Sequence, residues 1–314
     1  MATLTRRWQA FWFPAVPLER LAIFRVAVSV FAFLDVVVAS RYLLGYPSVA
    51  PVFFDPVYLL AGFSLMGLDV HPVLPTGAFS ALFGLLLTSL AAAAIGWRTR
   101  IALAVAAPLY LYFWAVFNSW GKINHGKIPV VFALFVLAVA PAGARLGRDA
   151  LRRRRRVVAT EADADPLAGW ALRVVGVVVV ASYLLSVYAK LDNTGPSWPL
   201  QPVLAMHLRD AGGTLATLLS RQRELLVVLQ SVTLLAEALA FLAFTKGRSR
   251  NVVLAVLGSF HVVSFVLIGT EFFGFVVCYL VFFDTEVGLR RLEQRWPGLS
   301  TTIRGRRPSA EVPV

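Results

Sequence analysis

The chain has 314 residues, of which 58% are hydrophobic, with a mean hydropathy of +0.73 and a formal charge of +13. A soluble domain of this length cannot hide so much apolar surface in one core. The positive charge sits in short gaps between apolar runs, which is the pattern of membrane topology and argues against nucleic acid as a partner. The single cysteine, Cys278, lies inside an apolar run and excludes an intrachain disulfide, a CxxC redox pair and a thiolate metal cage.

A membrane span needs about 20 apolar residues to cross about 30 Å of hydrocarbon. In chain order the candidates are Leu21–Leu44, Gly77–Trp97, Ile101–Ser119, Ile128–Pro141, Gly169–Ala189, Glu224–Thr245 and Val252–Ile268. An eighth, Phe272–Phe283, is short, and reads either as a thin span or as a re-entrant partner of the seventh. The first run reads as a retained span, not a cleaved leader, because no small-residue cleavage site with a soluble chain follows it. With the N-terminus inside and eight alternating spans, 21 Lys and Arg fall inside and 5 outside. A seven-span arrangement would place the basic C-terminal segment outside, so the positive-inside rule favours an even number. The expected fold class is an all-α integral membrane protein of about eight transmembrane helices, with both termini cytoplasmic.

The connecting segments differ in kind. The run Arg152–Arg156, followed by Glu161, Asp163 and Asp165, reads as a solvated cytoplasmic loop within 143–168 that attracts anionic lipid. The outer loop 45–76 has no Lys or Arg between Gly45 and Thr76 and is Pro-rich and fairly apolar, so it is expected to lie along the outer interface. The outer loop 192–223 opens with Asp-Asn-Thr-Gly-Pro-Ser-Trp-Pro, turn chemistry followed by an interfacial aromatic anchor. The helical membrane domain is expected over 1–290, and 291–314 reads as a basic, disordered tail. No internal repeat of the transporter kind is evident.

Walker A, GxGxxG, HExxH and GxSxG signatures are absent. What remains is a small set of polar residues where polarity is costly. Between the third and fourth spans lies Ser119-Trp-Gly-Lys-Ile-Asn-His-Gly-Lys127. His125 can shuttle a proton near neutral pH, while Lys122 and Lys127 also fit a plain interfacial loop with snorkelling side chains. At the end of the fifth span lies Tyr188-Ala-Lys-Leu-Asp192. Lys190 either snorkels to the interface or sits in an apolar pocket, where desolvation favours its neutral amine, a competent general base. His261, within the seventh span, is either bonded to a neighbouring helix or part of a site, and Glu271 lies just beyond it. Glu237 and Asp35 are intramembrane carboxylates, a class that faces bundle interiors and pairs, with Arg25 as a candidate structural partner. By topology His125, Lys190, Asp192, Trp198 and Glu271 fall on the outer side with His261 towards it, which suggests a pocket open to the outer leaflet.

Several pieces carry a resemblance. The first span opens Leu21-Ala-Ile-Phe-Arg-Val26, and the second ends Ala94-Ile-Gly-Trp-Arg-Thr-Arg100. The turn Ile123-Asn-His-Gly126 follows, then Tyr188-Ala-Lys-Leu-Asp192 with Trp198, then Phe260-His261 and Ile268-Gly269. In this order, across residues 20–285, the sequence resembles the HTTM (horizontally transmembrane) domain shared with vitamin K-dependent γ-carboxylase. The resemblance implies that Lys190 is the base that deprotonates a reduced quinone, with His125 and His261 as hydrogen-bonding or proton-relay groups near its headgroup and Asn124, paired with His125 in the family, as a substrate-binding residue. Lys122, Asp192, Trp198, Glu271 and Glu237 complete the candidate substrate-binding set, and no metal is expected. The carboxylase carries a large lumenal region after its helices, whereas about 30 residues follow the last candidate span here, so carboxylation of a propeptide-bearing protein is not expected. Another branch resembling this fold helps mature a secreted peptide toxin in bacteria.

Three readings follow. The first is a membrane enzyme acting on a quinol-like, lipid-soluble substrate from the outer face of a bacterial plasma membrane. The second is a non-catalytic accessory factor for maturation or export of a secreted peptide. The third is a transporter or a haem protein with His125 and His261 as axial ligands.

Overall fold

The computed structural model describes residues 2–57, 59–61, 73–121, 123–156 and 164–296. Among them helix predominates, and the described strands are one short antiparallel pair, β1 (Val16–Pro17) and β2 (Ala164–Asp165). The helices are α1 (Ala2–Trp12), α2 (Leu18–Leu43), α3 (Thr76–Ile95), α4 (Thr99–Asn118), α5 (Ile128–Val139) and α6 (Arg148–Arg156). They continue with α7 (Pro166–Thr194), α8 (Val203–Ala211), α9 (Thr214–Leu219), α10 (Arg223–Ala238), α11 (Arg248–Ile268), α12 (Phe273–Cys278) and α13 (Thr285–Arg295). The all-α class and the membrane setting stand: five described segments are long and apolar enough to cross a bilayer. They are Leu18–Ser48, Thr76–Ile95, Thr99–Asn118, Pro166–Leu200 and Arg248–Ile268, while His125–Val139 and Phe273–Phe282 are shorter apolar helices. The sixth expected span is α10 extended by a 3-10 segment, Ala240–Phe244.

The loops hold more structure than their composition suggests. The 143–168 segment contains α6, and the 192–223 segment contains a 3-10 stretch, Gly195–Leu200, then α8 and α9. Helix α13 runs to Arg295, so the start of the expected 291–314 tail is helical, and residues 297–314 lie outside the described residues, as do 62–72 of the 45–76 loop.

The chain divides into two units, residues 1–174 with 283–314, and Val175–Phe282. In the first, α2, α3, α4 and α5 pack together. Alanines such as Ala93, Ala102, Ala106 and Ala107 are fully or nearly buried there, and small residues of this kind let helices approach closely where lipid supplies no hydrophobic drive. Phe113 fills the space between them, edge-on to Phe79 (4.9 Å between centroids) and Phe83 (5.6 Å). Pro108 stands within α4, an interruption that membrane helices tolerate because neighbouring groups satisfy the freed carbonyl.

The connection between α3 and α4 explains two of the recognisable sequence pieces. Gly96 ends α3 with φ +69°, the left-handed conformation that glycine takes without steric cost. A Cβ there would also come within 2.8 Å of the Gly147 Cα and 3.1 Å of the Arg25 guanidinium. Arg25, fully buried, donates to the carbonyls of Ala142 (2.9 Å), Arg145 (3.4 Å) and Leu146. Its role is therefore to satisfy the backbone that leaves α5, and these three hydrogen bonds go to carbonyls, not to the carboxylates the sequence offered as partners. The start of α4 is capped from a distance. Asp149 of α6 accepts from the Arg98 and Thr99 backbone N–H groups (3.0 and 2.8 Å) and from the Thr99 hydroxyl (2.8 Å), the work usually done by the N-cap residue itself.

The second unit is built from the rest of α7 with α8 to α12. Helices α8, α9, α10 and α11 pack on one another around Leu208, Ala216 and Leu226. Gln230 of α10 ties the incoming chain down. Its side-chain oxygen accepts from the Leu204 N–H (3.1 Å), and its amide donates to the Pro199 and Gln201 carbonyls (2.8 and 3.1 Å).

Candidate functional site

In the second unit, α7 carries Tyr183, Ser186 and Lys190 at spacings of three and four, which places them on one face of the helix. The first meets a buried histidine and the last a buried carboxylate. Lys190 Nζ donates to Glu237 Oε2 from α10, and Ser186 Oγ reaches Glu237 Oε1 at 3.4 Å. The Glu237 side chain is 5% exposed and that of Lys190 18%. Lys190 Nζ also lies 4.8 Å from the centre of the Trp198 ring, a cation–π contact supplied by the 3-10 segment that follows α7. The sequence pairing of Lys190 with a tryptophan a few residues on thus has a geometric basis. An ammonium in apolar surroundings carries a cost, and the carboxylate and the indole face offset it.

Deeper along the same face is a cluster of aromatic and polar groups. The Tyr183 hydroxyl bonds His261 Nε2 at 2.6 Å and also the Tyr279 hydroxyl. His261, Tyr183 and Tyr279 are buried, and Phe272 and Phe275 close over the imidazole at 5.2 and 5.6 Å between ring centres. Cys278, fully buried, adjoins them in sequence, and burial in apolar surroundings makes it an inert thiol. Asp192 is exposed at the end of α7, and Glu271 is half-buried in the turn after Gly269.

In the first unit, Asn124 performs a local task. Its side-chain oxygen accepts from the Gly126 N–H (2.8 Å) and so caps the 3-10 turn His125–Lys127. Asn118 accepts from the Asn124 N–H, and Trp114 donates to the Asn124 carbonyl (3.1 Å). The turn fixes the backbone of His125, whose side chain is exposed. Lys122 lies outside the described residues. Lys127 does not simply snorkel: its Nζ pairs with Asp35 of α2, whose other oxygen accepts from the Tyr110 hydroxyl of α4 at 2.7 Å. Asp35 and Lys127 are each 12% exposed at the side chain.

Within the second unit, then, Lys190, Glu237 and Trp198 come together as one group and His261 joins Tyr183 and Tyr279. Sequence reasoning missed both tyrosines and Ser186. The available signal was the spacing of Tyr183 and Ser186 ahead of Lys190 on an otherwise apolar helix.

Neither a curated protein nor a solved structure matches the chain. The HTTM domain family matches residues 13–286, a stretch that takes in Arg25, Gly96, Asn124, Lys190 and His261 together. The chain belongs to the HTTM-domain family.

Proposed function

We propose that the chain is a membrane enzyme of the vitamin K-dependent carboxylase-like superfamily, with Lys190 as general base for a quinol-like, lipid-soluble substrate. The observation that carries this reading is the Lys190–Glu237 pair beside the Trp198 ring. Eight crossings with both termini cytoplasmic, argued from the distribution of Lys and Arg, support an outer-side position for this group, in our reading at a bacterial plasma membrane.

The residues suit a flat aromatic headgroup bearing hydroxyls. Trp198 offers a π-face, Lys190 a donor that becomes an acceptor on losing its proton, and Glu237 two carboxylate oxygens. A reduced quinone, when bound, supplies an acidic phenolic O–H and two reducing equivalents. The chain supplies the base. Lys190 as an ammonium cannot accept a proton, but it can pass one to Glu237. That transfer turns an ion pair into a neutral amine and a neutral acid, leaving no isolated charge in apolar surroundings. The amine then takes the substrate's proton, and the Trp198 ring face and the substrate anion beside it stabilise the resulting ammonium.

The second reading, an accessory factor for a secreted peptide, draws on the exposed Leu200, Met206, Leu215 and Leu218 of the 192–223 segment. Quinol oxidation by purified protein separates the two. Turnover lost in Lys190→Ala supports the enzyme; equal turnover in wild type and Lys190→Ala overturns the base assignment. Co-purification of a peptide precursor with full maturation by Lys190→Ala favours the accessory reading.

A further inference from the structure

The corner between α3 and α4, in the first unit, borders a cavity of about 450 Å³. Its lining comes from Arg98 and Arg100 at the start of α4, Ala140, Gly143 and Ala144 on the chain leaving α5, and Asp149 of α6. The small residues leave the space open, and two arginines facing one aspartate make the lining net positive. The Asp149 carboxylate is already engaged, since its oxygens accept from the Arg98 and Thr99 N–H groups and the Thr99 hydroxyl. Arg100 Nη2 makes a long contact, 3.5 Å, with the Val139 carbonyl, so its side chain reaches from α4 to the end of α5. A guanidinium carries five N–H donors, and this contact uses one of them.

The backbone places the two arginines together at a cost. Residues two apart on a helix do not face each other. Arg98 stands just ahead of α4 with φ +46° and ψ +43°, the left-handed conformation, and lines the same cavity as Arg100. Glycine takes that conformation freely and arginine does not. Strained positions of this kind cluster at ligand clamps.

The surroundings select the ligand. Ile101, which lines the cavity, and Val139, which precedes Ala140, are both exposed, as are Ile95 and Trp97. The Arg98 guanidinium lies 5.9 Å from the centre of the Trp97 ring, and tryptophan settles at the level of lipid headgroups. A soluble phosphate ester has no use for an apolar rim, whereas a lipid lays its acyl chains on one. On the eight-crossing reading this corner faces the cytoplasm, where basic pockets between spans take anionic headgroups. We propose that the cavity binds one anionic phospholipid, its phosphate held by Arg98 and Arg100 and its acyl chains lying along Ile101 and Val139. The site is independent of Lys190 and of any reaction there.

The test needs no turnover. Full-length protein in detergent is titrated with phosphatidylglycerol or with phosphatidylcholine of the same acyl chains, and the first bound lipid is followed by native mass spectrometry. Wild type is expected to bind phosphatidylglycerol at least about tenfold more tightly, as charge-assisted bonds to a net anionic headgroup allow. Arg98→Gly is the decisive variant. It removes the guanidinium but keeps the left-handed backbone and the N–H that Asp149 caps, so its unfolding temperature without lipid should not fall. Arg98→Gly and Arg100→Gln are each expected to weaken phosphatidylglycerol binding by at least about fivefold. Arg148→Gln removes the same charge from the exposed start of α6, outside the cavity lining, and should bind like wild type. Equal affinity of wild type for the two lipids, or an equal loss in Arg148→Gln and Arg98→Gly, overturns the proposal. Displacement of the lipid by an equal concentration of glycerol 3-phosphate overturns the lipid as ligand in favour of a soluble phosphate ester.

Discussion

Lys190 and Glu237, on α7 and α10, neutralise each other across a helix interface in the second unit. Their side chains are shielded enough that each is the other's main source of compensation. Truncating one partner leaves the other as an uncompensated charge, which costs about 3–5 kcal/mol for a buried pair, whereas replacing both by apolar groups of similar volume is close to neutral. The expectation is that Lys190→Met and Glu237→Leu each lower stability by ~3 kcal/mol in detergent unfolding, and that the double variant recovers most of the loss. Additive losses would show that the two side chains do not act as a pair.

The corner between α3 and α4 makes a different prediction. Asp149 caps α4 from α6, accepting from both the Arg98 and Thr99 N–H groups. Asp149→Ala leaves those donors unsatisfied and costs about 1–2 kcal/mol, within the range of ordinary N-caps. Asp149→Asn keeps one acceptor oxygen and loses less. Gly96→Ala meets two obstacles in the same place, a positive φ and the backbone of Gly147, and is expected to destabilise more than either Asp149 variant. Thermal unfolding in one detergent ranks all three.

Hydropathy and charge patterning made the helical membrane class legible, because a span announces itself by length and by the basic residues at its inner end. Partners were less legible. A helix that is apolar all round loses the periodic signal that tells which face turns inward. Asp35, Glu237 and Arg25 could therefore be recognised as costly, but not matched. The structure pairs Asp35 with Lys127, 92 positions away, Glu237 with Lys190, and Arg25 with three carbonyls that no side-chain pattern could have named. Helices α6, α8 and α9 were read as loop for a related reason. They are short, and their charge or their flanking glycines and prolines resemble turn chemistry. Asn124 was legible as a position but not as a role, since its hydrogen bonds fix the turn before His125.

Acid provides the last test, at the junction of α13 with α2. Arg20 donates to Glu286 through Nε and Nη2 at 2.8 and 2.7 Å, and also pairs with Asp284. Burial alone would raise the Glu286 carboxyl, but the hydrogen bonds and charge of Arg20 outweigh it and hold the group below the ordinary carboxylate range. A carboxyl depressed in the folded state stabilises the fold above its unfolded value and loses that contribution as pH falls through the folded one. The α13–α2 junction is therefore expected to hold unchanged from neutral pH down to the ordinary carboxylate range, and to loosen only in stronger acid. Limited proteolysis within α13, followed across pH with an acid-active protease at the acid end, reads this directly: wild type should become cleavable there only at the acid end, and Glu286→Gln should be cleavable at neutral pH. Equal protection of the two proteins at neutral pH would mean that the Arg20–Glu286 pair does not anchor α13.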